Sequence, residues 1–175
     1  MQATALQWTL IGAGVGLAGL AAGLGWRHWQ RHAADRALLA KFEAVSADLL
    51  RSVMLPDTGG GLIHCDFVLL SRGGLVVVDL RDVRGMIFGG RHMDEWTVMD
   101  GHQRRTFDNP IEGLHDRVAA VKQLAGEAPV EGMVVFTARG RFPKGLPPHA
   151  ALLDALGATV PPSGGHAEEA ERWRE

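Results

Sequence analysis

LIHCDFVLLSRGGLVVVDLRDVRG, residues 62–85, contains two runs rich in Val and Leu around Ser71-Arg72-Gly73-Gly74. Gly supplies the positive φ of a tight turn, so the runs are expected to pair as an antiparallel hairpin. With Leu70 facing Leu75, Asp66 lies opposite Asp79 and His64 opposite Arg81. These four share one face, because side chains alternate with period two. The other face, Ile63, Cys65, Phe67 and Leu69 against Val76, Val78 and Leu80, reads as continuous apolar core. An aspartate inside each apolar strand is costly unless it is paired, solvated or bound to a metal. Opposed Cβ atoms sit about 5 Å apart, and two ionised carboxylates at that distance ask for a cation. Mg²⁺, a hard ion, takes oxygen ligands of this kind. The alternative is that both aspartates are hydrated on a solvent-facing side, and a one-residue slip would separate them.

Upstream, residues 49–55 read as a strand ending at Pro56, and Asp57 to Gly61 as a turn. Residues 33–47 place Ala37, Leu38, Phe42 and Val45 at helical spacing. Downstream, 85–90 and 95–99 read as two short strands joined by a polar loop. Phe107-Asp108-Asn109-Pro110 then opens a helix, with Pro110 in the first turn and Asn109 or Asp108 as cap. Ile111, Leu114, Val118, Val121 and Leu124 form its inward stripe. Residues 129–137 contain a buried strand, 148–156 a short closing helix, and 161–175 a mobile tail. The order of elements predicts an α/β domain with a mixed sheet flanked by helices, over residues 33–160.

The chain has 175 residues, 46% of them hydrophobic, and a formal charge of −2. That near-neutral charge excludes a global nucleic-acid signature, so any phosphate binding must be local. Cys65 is the only cysteine; an intrachain disulfide is excluded, and its apolar setting marks it as a core residue. No Gly-x-Ser-x-Gly elbow occurs, so acyl-transfer chemistry has no support.

Residues 1–32 are expected to be a membrane anchor. Between Trp8 and Trp26, TLIGAGVGLAGLAAGLG carries no charge, which is long enough for a transmembrane helix over 8–26 that contacts the lipid bilayer. Residues 1–7 lack Lys and Arg, whereas Arg27, Arg31 and Arg36 follow the span. The positive-inside rule therefore predicts a single-pass inner (plasma) membrane protein, N-terminus outside and domain cytoplasmic. Gly12/Gly16 and Gly19/Gly23 offer small-residue faces for a homodimer.

The hairpin Ile63 to Val68, the strand Gly74 to Arg81, then Gly85, Ile87, Gly89, Trp96 and Phe107-Asp108-Asn109-Pro110 together resemble the nuclease-related domain (NERD) family of the restriction-endonuclease-like PD-(D/E)xK superfamily. The resemblance implies a restriction-endonuclease-like core in which Asp66 and Asp79 hold Mg²⁺ or Mn²⁺ and Arg81 takes the place of a lysine. Arg cannot serve as a base, since its pKa stays above about 12, but it can neutralise a phosphorane-like transition state. A leading helix acid is also implied, with Asp35 nearest to that place and Glu43 the other candidate. The glutamine usual after Asn-Pro is Gly113 here.

Two expectations follow. One is a membrane-anchored, Mg²⁺-dependent phosphodiester hydrolase acting on cytoplasmic DNA or RNA, with Asp66, Asp79 and Arg81 catalytic, His64 and Asp35 accessory, and Arg84, Arg105, Arg141 and Lys144 as phosphate contacts. The other is a catalytically inactive binding or scaffold module of the same fold.

Overall fold

A computed structural model describes residues 33–57 and 59–160. The expected membrane span, its glycine faces and the 161–175 tail lie outside the described residues, among which no helix is long and apolar enough to cross a membrane. The chain divides at Ala40 into two compact units. Residues 33–43 are helical (α1), and the last turn, from Lys41, belongs to the second unit.

In that unit β1 (Asp48–Pro56), β2 (Leu62–Ser71), β3 (Gly74–Arg81), β7 (Val130–Phe136) and β9 (Ala150–Leu152) form one sheet in the order β1-β2-β3-β7-β9. β1, β2 and β3 are antiparallel; β3, β7 and β9 are parallel. A smaller sheet has the order β6-β5-β4-β8, from β4 (Gly85–Phe88), β5 (Glu95–Asp100), β6 (Gln103–Asp108) and β8 (Gly140–Arg141). Helix α2 (Pro110–Ala125) links the small sheet back to β7.

The hairpin has the predicted register: Leu70 faces Leu75, Val68 faces Val77 and Phe67 faces Val78. Asn109 caps α2, its side-chain oxygen accepting from the Ile111 N–H at 3.1 Å. Ile111, Leu114 and Val121 are buried in one cluster with Val68, Val77 and Val134. Close approach of α2 to β7 needs Gly132, where a Cβ would meet Val118 Cγ2 at 2.6 Å. At the end of the stripe Leu124 is 59% exposed.

One alternative and two expectations are corrected. The alternative of a solvent-facing hairpin side does not hold: Val68, Leu70, Leu75 and Val77 are buried beneath α2, while Phe67, Leu69, Val76 and Val78 are buried on the opposite side, where Phe67 meets Phe42 with ring centroids 4.5 Å apart. These central strands are covered on both faces, which explains their nearly unbroken apolar runs. Second, Cys65 does not share the face of Phe67 and Leu69 but joins the cluster of Val68 and Leu70. The alternation shifts at Asp66, across from Ser52, whose φ is 51° and at which the β1–β2 ladder is interrupted. An irregularity of this kind re-aims the side chains beyond it.

Third, residues 148–156 do not form a helix. Ala150–Leu152 is strand β9, followed by a 3₁₀ turn (Leu153–Ala155) and a short helix α3 (Leu156–Thr159). The free edge of β7 outweighs local helix propensity, and the Val134 N–H donates to His149 O at 2.7 Å. Strand β6, absent from the sequence reading, pairs along its full length with β5.

Candidate functional site

The acids stand at the open end of the hairpin. The β2–β3 ladder stops at Phe67–Val78, so Asp66 and Asp79 do not form a ladder pair and His64 is not held opposite Arg81. Instead the Leu80 N–H donates to Asp66 Oδ2 at 2.9 Å. A carboxylate has taken over a strand N–H where the strands part, which satisfies a donor that would otherwise be orphaned.

Asp79 is 2% exposed. On the same sheet face it neighbours Val134, so its charge must be met from within the protein. Two arginines meet it. Arg81, two residues along the strand and therefore on the same face, donates to Asp79 Oδ2 from Nη2 at 2.8 Å and from Nε at 3.2 Å. Arg117 of α2 brings Nη1 within 3.8 Å of the same oxygen. Arg117 is itself fixed, donating from Nε to His64 O at 2.8 Å and from Nη1 to Gly113 O at 2.7 Å. Thus Gly113 offers its backbone carbonyl to the arginine that supports Asp79.

Burial pushes the Asp79 carboxyl above its ordinary value; the hydrogen bonds and charge of Arg81 and the charge of Arg117 oppose that rise, and nearby Asp66 adds to it. The thiol of Cys65, buried beside this cluster, is likewise raised, chiefly by desolvation.

His64 is tied to β1 and to Asp66: Nε2 lies 3.0 Å from Ser52 Oγ and Nδ1 lies 3.5 Å from Asp66 Oδ1. Asp66, Asp79, Arg81 and His64 therefore gather at one end of the hairpin. Asp35 is exposed and belongs to the separate unit that ends at Ala40; Glu43 is exposed at the end of α1.

The expected phosphate contacts divide. Arg84 is exposed on the β3–β4 connection, with Nε 3.7 Å from Asp100 Oδ2. Arg141 pairs with Met86 on the small sheet, and Lys144 Nζ stands 6.0 Å from the centre of the Phe88 ring. Arg105 sits opposite Val98, on the face of that sheet that carries the buried core. An apolar cavity of about 460 Å³ between β1 and the end of α2, lined by Leu50, Val53, Leu55 and Leu124 among others, shares no residue with the acid cluster.

Residues 27–137 match the nuclease-related domain (NERD) model. The chain belongs to the NERD family. No curated protein and no solved structure matches it. The matched segment contains the hairpin, the small sheet through β6, α2 and β7, and therefore every residue of the acid cluster. For a NERD domain, a divalent-cation role for this cluster has to be judged on its donors. Among the described residues no group of three or more His, Cys, Asp or Glu side chains could hold a metal. What remains is a two-carboxylate set, Asp66 and Asp79, whose Oδ2 atoms are engaged by Leu80 N–H and by arginine. Oxygen donors in that number do not make a cage, but they fit Mg²⁺, which takes one or two carboxylates and completes its shell with water and substrate phosphate.

The residue that sequence reasoning missed is Arg117. Its signal was present: it follows Leu114 by three residues and precedes Val121 by four, so it falls at the edge of the inward stripe of α2.

Proposed function

We propose that this chain is a nuclease-related phosphodiester hydrolase anchored at the inner membrane through residues 8–26, its domain on the cytoplasmic side and its substrate DNA or RNA. The observation that carries this reading is the convergence of Asp66, Asp79 and Arg81 at the open end of the hairpin in a chain of the NERD family. Asp66 and Asp79 are the residues that would hold Mg²⁺ or Mn²⁺. When bound, such an ion supplies charge for a phosphate oxygen and lowers the pKa of a water.

The protein's own groups divide the remaining work. Arg81 has a side chain 39% exposed, so it reaches from Asp79 towards solvent and can pair with a phosphate in a fork, as a permanent cation and never as a base. Arg117, anchored to two backbone carbonyls, holds the charge of Asp79 in place while Arg81 engages substrate. His64, between Asp66 and Ser52 and 44% exposed, is the group that would relay a proton.

A second reading, a catalytically inactive binding module of the same fold, is favoured by one observation: Asp79 Oδ2 already faces two guanidinium groups, so the buried charge is met without a metal.

Cleavage of labelled single- and double-stranded DNA and RNA by the full chain in detergent micelles, with Mg²⁺, Mn²⁺ or EDTA, separates the two. Metal-dependent cutting that is lost in Asp66→Asn and in Asp79→Ala, both still folded by circular dichroism, supports the hydrolase. A folded wild type that cuts nothing under any of these conditions, and whose melting does not move with either metal, supports the binding module.

A further inference from the structure

The small sheet has two unlike faces. Ile87, Trp96 and Val98 point inward and are buried to 1%, 0% and 3% exposure. The ladder pairs fix what points outward. Arg141 pairs with Met86, Met86 with Met99, and Met99 with Arg104, making one row across β8, β4, β5 and β6. The next row is Phe88, Thr97 and Thr106. Paired residues lie on the same side of a sheet, and so do residues two apart on one strand. The outer face therefore presents two methionines and a phenylalanine bordered by three cations: Arg141 and Arg104 at the ends of one row, Lys144 over the Phe88 ring. Met86 is 44% exposed, and Arg104, Arg141 and Lys144 are all exposed. Among the described residues of these ladders, the acids on this face stand at the far end, where Glu95 pairs with Asp108.

We propose that this face binds single-stranded nucleic acid, with Phe88 and the methionines receiving unpaired bases and Arg104, Arg141 and Lys144 holding the phosphates. Charge complementarity selects a polyanion, and the apolar rows between the cations select one that also has flat apolar faces to offer. A double helix keeps its bases stacked within and presents phosphates, whereas a single strand can lay bases on an aromatic platform and its backbone on the flanking cations. The Glu95–Asp108 end repels phosphate and sets a limit to the footprint. This inference shares the nucleic-acid part of the proposed function and does not depend on turnover at the acid cluster.

Fluorescence anisotropy of labelled dT and rU oligomers of about a dozen nucleotides, against a duplex of equal length, tests it with the full chain in micelles and with EDTA present. Metal-assisted cleavage is then silent, so a failed hydrolase leaves this readout intact. The expected result is binding at least about tenfold tighter for single strands than for duplex. Affinity should be lost by tenfold or more in Arg104→Glu/Arg141→Glu/Lys144→Glu. Phe88→Leu, which keeps an apolar side chain and removes the ring, should weaken binding about fivefold, the lower end of what one base stack contributes. Both variants should melt as the wild type does. Equal affinity for duplex and single strand, or wild-type binding by the folded triple variant, overturns the proposal, as does a wild type that binds neither. The dT and rU arms show whether DNA or RNA is preferred.

Discussion

The acid end of the large sheet and the outer face of the small sheet treat charge in opposite ways. At the first, a carboxylate with 2% exposure is met by arginines from its own strand and from α2, and both cations are engaged by that buried acid. At the second, three exposed cations border apolar side chains and the acids are grouped elsewhere. A charge buried in a folded core must find its partner within the protein, because leaving it unpaired costs several kcal/mol. A charge on an exposed face contributes little to folding and is available to a partner. The first arrangement is thus vulnerable to removal of a partner, and the second is tolerant to it.

The most severe way to break the contrast is Arg117→Met. The variant keeps an apolar stem on the stripe of α2 but takes a cation from buried Asp79 and a donor from His64 O and Gly113 O. With Arg81 still in place, the expected loss is about 2–3 kcal/mol, the range for removing a charged hydrogen-bonding partner from a largely buried site. Urea unfolding measures it. Adding Asp79→Asn to Arg117→Met should recover part of the loss, since the buried carboxylate, left with Arg81 as its only arginine partner, is then gone. A double variant no more stable than Arg117→Met alone would show that Arg117 acts through packing and its carbonyl contacts, not through Asp79.

The pH dependence of Asp79→Asn sharpens the same point more gently. Burial raises the Asp79 carboxyl in the folded protein, so the native state holds that proton at pH values where the unfolded chain has released it. The contribution of Asp79 to stability is therefore fully present below the unfolded carboxylate value of about 3.9 and lost as pH rises through the native value. Asn does not titrate. The stability of wild type relative to Asp79→Asn should accordingly fall as pH is raised from about 4 towards neutrality, read from urea midpoints of the two proteins side by side. A difference that grows in favour of wild type with rising pH would mean that the two arginines outweigh desolvation.

The framework behind this contrast was partly legible in the sequence, and the limits have physical causes. The Ser71 to Gly74 turn gave the hairpin register, because a short turn leaves one natural pairing and period two does the rest. Asn109-Pro110 gave the start of α2. What the hairpin alone could not show was that both its faces would be covered, or that its alternation would shift at Asp66, since that shift depends on Ser52 of β1 and its φ of 51°. Arg117 stayed hidden for a related reason: its partners lie on another element, and an arginine at the edge of an apolar stripe looks like any solvated polar residue. Strand β6, GlnArgArgThrPheAsp, has no apolar alternation to announce it, and five of its residues are exposed. Strand β9 exists because β7 offers an edge, a property of the assembled sheet.

The smallest expected effect is the most informative about the small sheet. Arg104→Glu and Arg141→Glu, made singly, place a carboxylate at either end of the methionine row. Each arginine is exposed, so each reversal should change folding stability by no more than about 0.5 kcal/mol, as for surface sites without a special role. The same two variants in the oligonucleotide assay should lose binding, because a new acid among the remaining cations repels the phosphate it replaced a contact for. Stability that is indifferent to these charges while binding depends on them would show that they serve a partner. A large loss of stability in either variant would instead put the cation to work within the fold, as at Asp79, and the contrast between the two regions would collapse.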